Sequence, residues 1–211
     1  MAVTQIELAT PHGPARAHLH HADRARAALV LGHGAGGGVS APDLVAATNA
    51  ALEQDVTVAL VEQPYRVAGR KSPAPARQLD AAWIAAVSQL REGELEGLPL
   101  ITGGRSAGAR VACRTAEETG AVAVLCLAYP LLPTRGANPQ SRLPELEAVN
   151  VPTLVVQGTS DPFGMPPASA TRTVTQVPGN HSLRTNLDAV RSAVGEWLDR
   201  VAAPAAERVA T

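Results

Sequence analysis

The chain has 211 residues, 45% of them hydrophobic and 18% charged, and its 18 basic side chains against 19 acidic ones leave a formal charge of −1. Apolar content on this scale without excess charge argues against global disorder, and the length suits one compact domain. A nucleic-acid binder is also excluded, because the chain lacks clustered positive charge and has only two Tyr, two Trp and one Phe for stacking.

The longest apolar run, residues 121–132, is broken by Pro130 and falls short of the roughly 20 residues that a bilayer span needs. The N-terminus, Met1-Ala2-Val3-Thr4-Gln5-Ile6-Glu7, has neither the positive flank nor the apolar core of a secretory signal. A cytoplasmic protein with no membrane partner is expected. Cys113 and Cys126 fall in segments that read as buried, and their spacing fits neither a disulfide framework nor a zinc site, so no metal is expected.

In chain order, two weak edge strands are expected at 3–8 and 15–20. Aliphatic runs follow at 29–31, 56–61, 98–101, 122–127, 153–156 and 173–177. They are continuous rather than alternating, as in strands buried on both faces of a parallel sheet. Helical patterns fill the intervals. One spans 42–54, and a second is carried by Leu79, Ala82, Trp83, Ala86, Val87 and Leu90 at the spacing of an amphipathic helix. A third spans 106–119, and one or two helical turns are expected near 143–149. Leu183, Leu187, Val190, Val194, Trp197, Leu198 and Val201 carry the last. This alternation predicts an α/β fold, a mostly parallel central sheet with helices on both faces, over residues 1–201. Residues 202–211 lose the period and read as a frayed tail.

In such sheets chemistry sits beyond the carboxyl ends of the strands. A serine, an aspartate and a histidine stand there in that order, each after a different strand. Gly104-Arg105-Ser106-Ala107-Gly108 has the G-x-S-x-G form, whose small neighbours let the chain close into a tight strand-to-helix turn that projects a nucleophilic hydroxyl. Such a hydroxyl needs a base, and His181 follows strand 173–177 in a Pro-Gly-Asn-His turn. Asp161, after strand 153–156, is placed to orient the imidazole and stabilise its charged form. The alternatives are a helix cap for Ser106, an Asp-Pro turn for Asp161 and a loop histidine for His181. His12, His18, His20 and His21 read as solvated residues of the N-terminal edge.

An oxyanion hole requires two backbone N–H groups aimed at the developing charge. The Ala107 amide follows the nucleophile; the second donor is expected from His33-Gly34-Ala35-Gly36-Gly37-Gly38, at Ala35 first and Gly36 second. This glycine run lacks the Gly-Lys-Ser/Thr ending of a phosphate loop, and His33 is expected to shape it. Glu62 and Arg105 are candidates to pair beneath the turn, with separate surface roles as the alternative. Tyr65 and Arg70 are candidates for substrate contact. Arg70 belongs with Arg66 and Lys71 to a loop that either greets an anionic group or is simply solvated.

Taken together, these residues make the chain resemble an α/β-hydrolase of the small capless branch related to dienelactone hydrolases. Gly103-Gly104-Arg105-Ser106-Ala107-Gly108-Ala109-Arg110, with Glu62-Gln63-Pro64-Tyr65 upstream, also resembles hydrolases grouped with testis-expressed relatives. The resemblance covers residues 27–201 and implies Ser106 as nucleophile, Asp161 as acid and His181 as base. One position departs from the pattern: dienelactone hydrolases proper use a cysteine nucleophile, and serine stands here. The expectation is a cofactor-free serine hydrolase acting on a small-molecule acyl substrate, an ester or thioester, at an open, shallow site. The alternatives are a non-catalytic binding module on the same fold, or acyl transfer or peroxide chemistry by the same triad.

Overall fold

The structure, a computed structural model, describes residues 3–133 and 140–202. Eight strands form one sheet: β1 (Thr4–Leu8), β2 (Ala15–His20), β3 (Ala27–Gly32), β4 (Val56–Glu62), β5 (Leu100–Arg105), β6 (Ala123–Leu127), β7 (Thr153–Gly158) and β8 (Arg172–Val177). Their spatial order is β1-β2-β4-β3-β5-β6-β7-β8, with β1/β2 and β2/β4 antiparallel and every other pair parallel. The helices are α1 (Pro42–Glu53), α2 (Pro64–Val67), α3 (Ala76–Glu92), α4 (Ala107–Arg114), α5 (Leu143–Glu147) and α6 (Leu187–Val201). The expected α/β architecture is therefore present.

The continuous aliphatic runs divide between the two faces with the strand period of two. Leu29 and Leu31 of β3 pack with α1 and α6 residues such as Leu44, Val190 and Trp197, whereas Ala28 and Val30 pack with Leu79, Trp83 and Leu90 of α3. On β6, Leu125 faces the first cluster, and Val124 and Cys126 face Ala109, Ala112 and Cys113 of α4. Helices thus cover both faces, α1 and α6 on one and α3, α4 and α5 on the other.

Several boundaries move, for local reasons. β5 continues through Gly103, Gly104 and Arg105, because these pair in register with Leu125, Cys126 and Leu127 of β6. α4 stops at Arg114 and is capped by Thr115, whose N–H and hydroxyl both donate to the Val111 carbonyl, at 3.1 Å and 2.8 Å. The last helix begins at Leu187 rather than Leu183. Leu183 is left-handed at φ 51°, and the Asn186 side chain caps the helix by accepting from the Ala189 N–H at 2.9 Å. Ala202, expected to fray, is buried in the α1/α6 cluster; residues 203–211 of the expected tail lie outside the described residues. No helix among the described residues is long and apolar enough to cross a membrane.

β4 and β5 lie on opposite sides of β3, so the direction of winding reverses there. The loops that follow β3 and β5 meet at this crevice, which is where an open α/β sheet offers a ligand site.

Candidate active site

Ser106 sits between β5 and α4 with φ 53° and ψ −107°, a backbone conformation costly for a residue with a side chain. Its N–H donates to the Leu127 carbonyl at 2.9 Å and its carbonyl accepts from the Arg110 N–H at 3.2 Å, so both sides of the turn are held. The flanking glycines are required by space. A Cβ on Gly104 would stand 2.5 Å from the Gly32 oxygen, and one on Gly108 would stand 2.4 Å from the same oxygen. The strained turn thus rests on β3 backbone to backbone.

The β7–β8 and β8–α6 connections bring up the other two side chains. His181 Nε2 lies 2.9 Å from Ser106 Oγ, and His181 Nδ1 lies 2.8 Å from Asp161 Oδ2. With the Nδ1–H tautomer, the ring donates to Asp161 and accepts from the Ser106 hydroxyl. The Asp161 carboxylate is buried and the His181 side chain is 18% exposed, so the two partners differ in access to water. Asp161 Oδ1 accepts from the Phe163 N–H at 2.9 Å, and Asp161 Oδ2 accepts from Gln157 Nε2 at 2.9 Å. The Phe163 ring stacks at a tilt against His181, with centroids 4.3 Å apart. Such a relay can draw a proton from Ser106 and hold the resulting imidazolium beside a carboxylate.

The β3–α1 loop is fixed from beneath. His33 Nδ1 donates to the Gly34 carbonyl at 2.9 Å, and His33 Nε2 accepts from the Gln63 N–H at 3.1 Å. Burial pushes the His33 imidazole below its ordinary pKa, and these partners match its neutral form. The Tyr65 hydroxyl donates to the Ala35 carbonyl at 2.9 Å. Since a trans peptide sets C=O and N–H on opposite sides, tying down the Gly34 and Ala35 carbonyls turns the Ala35 and Gly36 N–H groups the other way. Ala107 is the first residue of α4, where an amide has no acceptor within its own helix.

Other expectations are corrected. Glu62 and Arg105 do not pair. Glu62 Oε2 lies 3.0 Å from His18 Nε2 and 3.7 Å from Arg16, because β2 is the antiparallel neighbour of β4. His18 is accordingly half-buried rather than solvated. Arg105 Nε instead lies 2.8 Å from Oδ2 of Asp43, in the first turn of α1. Tyr65, whose hydroxyl is committed to the glycine loop, lines a small pocket with Ala107 and Gly108 next to Ser106, whereas Arg70 lines a separate cavity of about 80 Å³ that none of Ser106, Asp161 and His181 lines. Asp43, Gln157 and Phe163 carry no motif of their own in the sequence. Asp43 meets Arg105, and the Phe163 ring meets His181, only through tertiary contact, whereas Gln157 and the Phe163 N–H reach the Asp161 carboxylate from four and two residues away. No group of three His, Cys, Asp or Glu among the described residues is placed to hold a metal ion.

A family model described as "Alpha/beta hydrolase domain" matches residues 25–202. Among solved structures, the chain is similar to a lidless α/β serine hydrolase from Xanthomonas campestris, with 18% identity, 95% of each chain covered and a TM-score of 0.77. It is similar to a dienelactone hydrolase from Anabaena variabilis at 16% identity, with 93% of this chain and 96% of that one covered and a TM-score of 0.73. An esterase domain from Rhodothermus marinus follows at 14% identity, covering 96% and 100%, with a TM-score of 0.70. No curated protein matches the chain in sequence.

Proposed function

The chain belongs to the α/β-hydrolase family, and from that premise we propose that it is a serine hydrolase cleaving a carboxylic ester or thioester of a small-molecule acyl substrate through an acyl-enzyme. The observation that carries the reading is the continuous relay from Ser106 Oγ through the two His181 ring nitrogens to Asp161, on a turn whose backbone is strained at the serine.

In this scheme Ser106 Oγ attacks the acyl carbonyl while His181 Nε2 takes its proton. Asp161 holds the imidazole tautomer and stabilises its charged form. The amides of Ala107 and of Ala35 or Gly36 receive the oxyanion, with Ala35 preferred; one such donor is worth about 2.7–4 kcal/mol in a protease example. His181 returns the proton to the leaving group, and water attacks the acyl-enzyme by the reverse steps. These steps need no cofactor. An ester substrate is supported by the esterase domain and the dienelactone hydrolase among the similar folds.

The experiment is intact-mass analysis after exposure to a fluorophosphonate, on wild type, Ser106→Ala and His181→Ala. A single adduct on wild type alone is expected, and Ser106→Ala should lower ester turnover by roughly 10⁶-fold while remaining folded. Folded wild type that takes no adduct would favour a non-catalytic binding module instead.

A further inference from the structure

Arg105 touches three elements besides its own strand. On β5 it immediately precedes Ser106. Its Nη2 donates to the His181 backbone carbonyl at 3.1 Å, and its Nε lies 2.8 Å from Asp43 Oδ2. Its Nη1 packs against Gly34, where a Cβ would stand only 2.7 Å away. One guanidinium therefore meets the loop of the base, the glycine loop after β3 and the start of α1. We propose that Arg105, locked by the buried carboxylate of Asp43, is a positioning residue that sets the distance between the His181 ring, Ser106 and the glycine loop.

The physical argument begins at Asp43. Its side chain is 1% exposed, and a carboxylate taken that far from water is costly unless paired. Burial pushes the Asp43 carboxyl up, and the Arg105 charge opposes that shift. A buried pair of this kind adds little net stability over an apolar pair of the same shape, since desolvation offsets attraction. What the pair does provide is direction. Asp43 is anchored by its place in the helix and by the Leu44 N–H, which donates to its Oδ1 at 3.1 Å. With the guanidinium ion-paired there at Nε, Nη1 lies against Gly34 and Nη2 donates to the His181 carbonyl, so one planar group spans all three. A lysine at position 105 offers a single ammonium on a flexible stem, which cannot reproduce these contacts together.

The inference rests on the serine-hydrolase reading, and its test separates the two. The limiting rate constant for fluorophosphonate labelling of Ser106, and the probe concentration giving half that rate, are measured for wild type, Arg105→Met, Arg105→Lys and Asp43→Asn. Thermal unfolding of each variant is followed in parallel. Misplacing reacting groups by about 1 Å costs about 100-fold, so Arg105→Met should lower the limiting rate by about that factor, while the half-saturating concentration stays within about twofold. Arg105→Lys should recover only part of the loss, and Asp43→Asn, which keeps the volume and frees the fork, should lose about tenfold. Added guanidinium should speed labelling of Arg105→Ala, a response that loss of stability alone does not give. Folded Arg105→Met labelled as fast as wild type would overturn the positioning role and leave the serine-hydrolase reading standing. Where Arg105→Met fails to fold, Asp43→Asn decides by the same measure, with an unchanged rate again overturning the role. Wild type unlabelled at Ser106 would remove both.

Discussion

On the Ser106 side of the site, Gly32, Gly104 and Gly108 bring backbone onto backbone, so the Ser106 turn is seated by main-chain contact between β3, β5 and α4. On the other side, Asp161 and His181 are held largely by hydrogen bonds: from Gln157 and the Phe163 N–H to the carboxylate, from Ser160 Oγ to the Gly179 carbonyl at 2.9 Å, and from Arg105 to the His181 carbonyl. The first construction has no slack, because backbone atoms in close packing cannot move aside. The second is built of contacts whose individual loss turns a side chain without dismantling the sheet. Under the proposed function, damage to the Ser106 side should therefore register as stability, and damage to the Asp161–His181 side as rate.

The largest expected effect, if the proposed function holds, is on the Asp161–His181 side. Asp161→Asn keeps the shape of the side chain but no longer favours the Nδ1–H tautomer of His181, and ester turnover should fall by roughly 10⁴-fold. Its unfolding midpoint should stay close to that of wild type. A variant that unfolds readily but, while folded, turns over normally would reverse the contrast.

Next comes Gly108→Ala, whose added methyl meets the Gly32 oxygen at 2.4 Å and the His33 oxygen at 2.9 Å. Overpacking against fixed backbone should cost about 3 kcal/mol in denaturant unfolding. Gly195→Ala is the matched control: it lies inside α6, a Cβ there meets nothing within 4 Å, and the exchange should stabilise by about 0.5–1 kcal/mol. Equal effects at the two glycines would show that close approach is not what the turn depends on.

The smallest effect is a pH dependence beneath the glycine loop. Burial holds the folded-state pKa of His33 below its ordinary value, so the folded protein binds this proton less readily than the unfolded chain. The stability this histidine contributes is present above about pH 6.5 and is lost as pH falls toward the lowered folded value. Protonation also sets a second donor against the Gln63 N–H. Denaturant unfolding measured from pH 7.5 to pH 5 should show that decline in wild type and a flatter profile in His33→Gln. Identical slopes would remove His33 as the source. Glu145 gives a second, lower window. Burial pushes its carboxyl up, but the Arg110 hydrogen bonds and the Arg110 and Arg114 charges outweigh this and hold it down, so its contribution fades only as pH falls below the ordinary carboxylate range.

Much of the site was legible before folding. The G-x-S-x-G turn is a local device, in which the strain at Ser106 and the small neighbours it needs are set within a few residues. Asp161 and His181 stand out as candidates because each follows a strand, and the fold delivers the carboxyl ends of the parallel strands β3–β8 to one edge. Boundaries were less legible. Gly103 and Gly104 read as loop, yet pairing with β6 makes them strand; Leu183 fits the helical period, yet the Asn186 cap starts the helix after it.

The sequence by itself determined the order of elements, the burial of the sheet on both faces and the chemical types at the strand ends, because periodicity and turn sterics act over a few residues. Tertiary structure alone decided which charges meet. From the sequence, Glu62, the carboxylate of a nearby strand end, is a candidate partner for Arg105, with separate surface roles as the alternative; in the fold the antiparallel β2 occupies Glu62 through His18, and Arg105 meets Asp43 of α1. Charge pairing depends on distances between side chains brought together from remote parts of the chain, and those distances exist only once sheet order and helix packing have been set.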